Sequence, residues 1–128
     1  MPVTLSFTEP STFVLDACGD LTYAECRDAL AQLAAHPKFS GNARVLADGR
    51  SVTRAPATDE LRALVQHLQP LAERGVRTMG ILTETPAVYG VARMFAVFAE
   101  LLRFEVPVFR SHAEAQRWLE GDADSGAN

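Results

Sequence analysis

The chain has 128 residues, a length that the usual ~100–200 residues per domain makes one domain, here residues 1–121 with a frayed tail at 122–128. A chain of this size buries roughly two thirds of its surface on folding, so it needs no metal or disulfide staple. Its 48% hydrophobic and 22% charged residues are those of a globular protein, and a net charge of −4 argues against nucleic acid or an anionic membrane surface as partner.

Cys18 and Cys26 make no disulfide framework and no CxxC pair. The start, Met1-Pro2-Val3-Thr4, has neither the basic nor the apolar region of a signal peptide. The longest apolar stretch, 87–102, is interrupted by Arg93 and Glu100 and falls short of the ~20 apolar residues of a spanning helix. The expectation is a soluble, cytoplasmic protein without a transmembrane segment.

Val3, Leu5 and Phe7 alternate with polar residues and predict a strand; Glu9-Pro10-Ser11 is turn chemistry, and Thr12 to Ala17 completes a hairpin. Gly19-Asp20 ends it. Thr22-Tyr23-Ala24-Glu25 is a capping box, and the helix that follows stops at Pro37. Ala43 to Asp48 is a short apolar run typical of a buried parallel strand, followed by a polar loop from Gly49 to Ala57. Thr58 then caps a helix with Asp59 and Glu60 in its first turn and an apolar face from Leu61 to Ala72; Pro70 kinks or tightens it and Gly75 ends it. Thr78 to Thr83 is a further strand. Thr85-Pro86 opens a helix running to Arg103. Val106 to Phe109 is an edge strand, because Pro107 cannot donate to a ladder. Ser111-His112-Ala113-Glu114 is a second capping box, leading into a short helix that Gly121 ends. The order β-β-α-β-α-β-α-β-α predicts an α/β fold with a mixed, mostly parallel five-stranded sheet and about four helices. It does not give the order of strands in space.

This succession, with Gly19-Asp20-Leu21-Thr22, Val45-Leu46-Ala47-Asp48-Gly49-Arg50, Tyr89-Gly90-Val91-Ala92-Arg93-Met94-Phe95 and the closing Val108-Phe109, Glu114-Ala115 and Trp118-Leu119, resembles the SpoIIAA-like superfamily. That fold is shared by STAS domains and by CRAL-TRIO domains, and stand-alone bacterial proteins of both types are the nearest look-alikes. The resemblance implies a fold of strands and helices wound into one layer-paired domain, and no particular reaction. STAS antagonists carry a phosphorylated serine at the start of the second helix, in an Asp-Ser-(Ser)-Gly setting. The matching stretch here is Pro56-Ala57-Thr58-Asp59, in which Thr58 is the one candidate phospho-acceptor, without the preceding acid or the following glycine.

Ligand sites in open α/β sheets lie beyond the carboxyl ends of the strands. The residues expected there include Asp48, Arg50, Glu84, Arg110 and Ser111, a set that can form an anion clamp or a network of surface ion pairs. His36, His67 and His112 have no metal-ligand spacing, and no Walker A, GxGxxG or HExxH motif is present, so no metal, cofactor or catalytic set is expected. The helix opened by Pro86 is the least ordinary feature. Val88, Tyr89, Val91, Ala92, Met94, Phe95, Val97, Phe98, Leu101 and Leu102 wrap most of its circumference, leaving Arg93 and Glu100 on a narrow polar side. Such a helix is deeply buried, lies at a subunit interface, or walls an apolar cavity; Tyr89, Arg93, Met94, Phe95 and Phe98 are the candidate contacts. Two functions follow. The first is a non-catalytic STAS-like regulatory or protein-interaction module that forms a homodimer. The second is a carrier or sensor of a small apolar, lipid-like ligand, which the likeness to CRAL-TRIO domains also implies. A lined cavity beside Phe95 and Phe98 favours the ligand; close packing favours the protein partner.

Overall fold

The computed structural model describes residues 3–121; the tail assigned to 122–128 lies outside them. Strand β1 (Val3–Thr8) turns through a cis Glu9–Pro10 bond into β2 (Thr12–Asp20), and the two pair antiparallel with Leu5 opposite Leu15. Helix α1 (Tyr23–Ala35) leads to β3 (Arg44–Arg54), which lies parallel to β2. A broken helical segment comes next: α2 (Thr58–Leu64), a 3-10 turn (Val65–Leu68) and α3 (Gln69–Glu73). It delivers the chain to β4 (Gly80–Leu82), α4 (Pro86–Glu100), β5 (Val108–Phe109) and α5 (His112–Leu119). The sheet order is β1-β2-β3-β4-β5, with every pair after the hairpin parallel.

Each parallel step moves one strand in the same direction, so α1, α2 and α4 cover one face of the sheet. Their shared core includes Phe13, Leu33, Phe39, Val45, Leu71 and Phe104. Among the described residues the other face is covered at β3, β4 and β5, where Leu46, Leu82, Ala115, Trp118 and Leu119 form a smaller cluster under α5. Gly80 makes that contact possible. A Cβ there would lie 3.0 Å from both Phe109 and Trp118.

The caps follow the sequence closely. Thr22 accepts from the Glu25 N–H at 3.2 Å, while the Glu25 carboxylate accepts from the Thr22 N–H at 2.9 Å. Thr85 caps α4 ahead of Pro86, and Gly75 ends α3 with φ +90. At α5 only half of the expected box forms: Ser111 accepts from the Glu114 N–H.

Other expectations are corrected. Gly49 to Arg54 is strand and not loop, because β2 runs on to Asp20 and offers partners: Cys18 faces Ser51, Gly19 faces Val52, and the Leu21 N–H donates to the Arg54 carbonyl at 2.8 Å. Thr58 does not cap α2. Ala57 holds the cap position, Thr58 is the first helical residue, and the Glu60 carboxylate accepts from the Ala57 N–H at 2.9 Å. The tightening expected of Pro70 is present: the helical segment from Thr58 to Glu73 narrows to a 3-10 turn at Val65–Leu68, ahead of Pro70, whose missing N–H and ring deny the Gln66 carbonyl its ordinary i+4 partner. The ordered pairing of β4 and β5 is shorter than 78–83 and 106–109, and α4 ends at Glu100, where a turn reaches Arg103 with φ 57.

Gly80→Ala is expected to lower stability by about 1–3 kcal/mol through overpacking against the two rings. Urea denaturation checks this; an unchanged midpoint would show that α5 can shift off the sheet without cost.

Candidate functional site

The side chains between the sheet and its helices are not evenly sized. At the end where the parallel strands begin, Phe13 packs edge-on to Phe39 at 5.6 Å and to His36 at 5.0 Å, with Phe7 stacked beside them. The Arg74 guanidinium donates to the Ala34 and Phe39 carbonyls and ties α3 to the end of α1. At the carboxyl end the inward positions carry small residues: Ala17 on β2, Ala47 and Gly49 on β3, Ala29 on α1, Ala92 on α4. Their methyls do not meet. They leave an open-mouthed cavity of about 140 Å³ lined by Leu15, Leu30, Leu61, Leu64, Ile81 and Phe95.

The rim of the cavity is formed by Leu21, Ala55, Val88 and Val91, all half-buried, together with Pro56, so it opens at the carboxyl end of the strands. The one thiol in the wall is Cys26. Burial, with Glu25 and Glu60 nearby, pushes that thiol up to about 12, so it stays protonated and behaves as a small apolar group. Just outside, the Tyr23 hydroxyl lies 2.9 Å from His67 Nε2 and fastens α1 to the 3-10 turn.

A second, polar hollow lies against β1, β2 and β3, lined by Thr4, Asp16, Cys18, Asp48, Arg50, Ser51 and Glu84. Its centre is a two-point ion pair: Arg50 Nε donates to Asp48 Oδ1 at 3.0 Å and Nη2 to Oδ2 at 2.8 Å, and the Arg50 N–H adds a third bond at 3.1 Å. Partial burial alone would raise the Asp48 carboxyl, but those bonds and the guanidinium charge outweigh it and hold it below its ordinary value. The same bonds raise Arg50.

The sequence-derived polar set therefore divides. Asp48, Arg50 and Glu84 share the hollow, whereas Arg110 stacks over the Tyr89 ring at 4.6 Å and Ser111 caps α5. The fork of Arg50 is already filled by Asp48, and Thr83 beside Glu84 is wholly buried. Thr58 is exposed at the start of α2. Of the α4 candidates, Phe95 is in the cavity wall, Phe98 lies under the Arg62 guanidinium at 5.0 Å, and Arg93 and Met94 face solvent. His36, His67 and His112 stand apart, and no group of three metal-ligating side chains converges among the described residues. Sequence reasoning named Phe95 but missed most of the wall. Its signal was a set of small residues at inward positions, dispersed over four elements, β2, β3, α1 and α4.

The fold is a layered α/β arrangement, an antiparallel hairpin extended by three parallel strands, with the main helices on one face. It is the SpoIIAA-like fold. A solved structure from Shewanella loihica, an uncharacterized protein of the DUF3478 family with that fold, superposes at a TM-score of 0.57 with 14% identity, covering 91% of each chain. No protein-family profile matches this sequence, and no curated protein matches it. No helix among the described residues is long and apolar enough to cross a membrane.

The Asp48 carboxyl is expected to titrate below the ordinary ~3.9 of an aspartate. Its pairing with Arg50 then stabilises the fold above about pH 4 and is lost as the pH falls through the lower folded value. Carboxyl-carbon NMR titration reads it directly: Arg50→Ala should move Asp48 upward, and an unmoved value would mean that the guanidinium does not hold the charge.

Proposed function

We propose that this protein is a non-catalytic STAS-like binding module of the cytoplasm, and that its ligand is a small apolar molecule or apolar group held between the sheet and α1, α2 and α4. The observation that carries this reading is the cavity beside Phe95, with apolar side chains from both layers around it. Dry apolar cavities of roughly 150 Å³ accept a benzene-sized guest. A volume of about 140 Å³ suits a ring or a short acyl segment, not a whole lipid. The wall offers no general acid, base or nucleophile: its thiol is held protonated, and the Asp48 carboxylate is engaged by Arg50.

A second reading, a regulatory module that docks on a protein partner, draws on the outer side of α4. Met94, Val97 and Leu101 are exposed there although the opposite side of the same helix is in the core. Large apolar side chains gathered on one exposed strip mark contact surfaces.

Toluene and 1-hexanol are expected to raise the melting temperature. A guest at ten times its Kd adds about 1.4 kcal/mol, or about 4–7 °C for a domain of this size. Ala92→Leu, which fills the cavity from the α4 side, should abolish the shift while circular dichroism stays native. An equal shift in that variant, or none in the parent protein, would contradict the reading.

A further inference from the structure

We propose that the outer face of α4 is a self-association surface, on which two copies of this chain pair their α4 helices antiparallel about Val97. Gly90, Met94, Val97 and Leu101 recur every three or four residues and form one stripe. Met94 is 37% exposed, Val97 54% and Leu101 82%, whereas Ala92, Phe95, Ala96 and Ala99 on the other side are buried. A Cβ on Gly90 would meet nothing within 4 Å, so the stripe is open at that end too.

The charges beside the stripe identify the occupant. Arg93 and Glu100 lie on the same flank, seven residues or about 10 Å apart along the axis, too far to pair with each other. Neither forms an ion pair among the described residues. Arg93 precedes Val97 by four residues and Glu100 follows it by three. A two-fold axis at Val97, perpendicular to the helices, keeps equal flanks together and reverses direction. It therefore sets Arg93 of one copy level, within about 1.5 Å along the axis, with Glu100 of the other, and does so twice. Met94 and Leu101 have the mirrored spacing, three before and four after, so each meets the other across the pair while Val97 meets Val97. A parallel two-fold pairing would instead swap the flanks and set Arg93 and Glu100 of each copy against Met94 and Leu101 of the other, leaving the charges without partners. The stripe thus complements itself in shape and in sign.

One helix pair buries less than the ~800 Å² per partner of a standard interface, so the dimer is weak and concentration-dependent. The pairing uses only the outward side of α4 and is independent of whether the cavity on its inward side takes a guest.

Sedimentation equilibrium of the full chain, from about 5 to about 200 µM at low salt, tests it; that range brackets a micromolar dimer. The expected result is a monomer–dimer equilibrium that Val97→Asp shifts to monomer. Arg93→Glu and Glu100→Arg should each weaken the dimer by roughly tenfold, and the double exchange should recover most of that loss. All these positions are exposed, and circular dichroism confirms that the variants fold. A monomer throughout the range, a dimer indifferent to Val97→Asp, or a double exchange no tighter than the single ones would overturn the proposal.

Discussion

The contact between the helix-bearing face of the sheet and α1, α2 and α4 is what the rest of the molecule depends on, and it is packed to different degrees at its two ends. Phe13, Phe39, Leu33, Leu71 and Phe104 fill the amino-terminal end of the parallel strands completely, each no more than 2% exposed. Burial of such side chains is worth roughly 1.5–3 kcal/mol each, so this end holds the layers together. The carboxyl end can then afford small residues. Ala17, Ala29, Ala47 and Ala92 keep helices and strands in register but leave space that a tighter core would have closed. Fold stability and the open space are thus supplied by opposite ends of the contact between sheet and helices.

The other face of the sheet is set up differently. Trp118 of α5 presses on Gly80 and Phe109, and the Arg44 guanidinium covers the Trp118 ring from the side at 5.4 Å. Beyond α5 the sheet surface is polar, and the Asp48–Arg50 pair occupies its centre. The Asp48 carboxylate occupies one paired edge of the Arg50 guanidinium and neutralises its charge, which weakens the polar hollow as an anion site. Helix α4 links the two themes: its inward side walls the cavity, and its outward side carries apolar residues that the single chain leaves in water.

Local chemistry made much of this legible beforehand. Thr22 with Glu25, Thr85 with Pro86, Ser111, Gly75 and Gly121 marked helix ends through hydrogen bonds and backbone angles that depend only on near neighbours. Features depending on distant partners were not legible. The segment from Gly49 to Arg54 has a single buried side chain, Val52, and became a strand only because β2 continues beside it. At α2 a threonine ahead of two acids resembles a cap, yet Glu60 reaches back one residue further, to Ala57. The cavity has no motif at all, because its small residues come from β2, β3, α1 and α4 and meet only when the sheet order is fixed. Phe95 was identifiable from the excess of apolar residues on α4; the alanines opposite it were not.

A preformed apolar site beside Phe95 and a packing gap that closes in solution differ in what the space admits. A crystal of the protein held under xenon pressure measures this most directly, since xenon enters dry apolar cavities of this volume and scatters strongly. The expected result is one ordered xenon atom bounded by Leu30, Leu61 and Phe95, with those side chains unmoved. Xenon absent from that position, with Phe95 or Leu61 turned in to occupy the space, would contradict it.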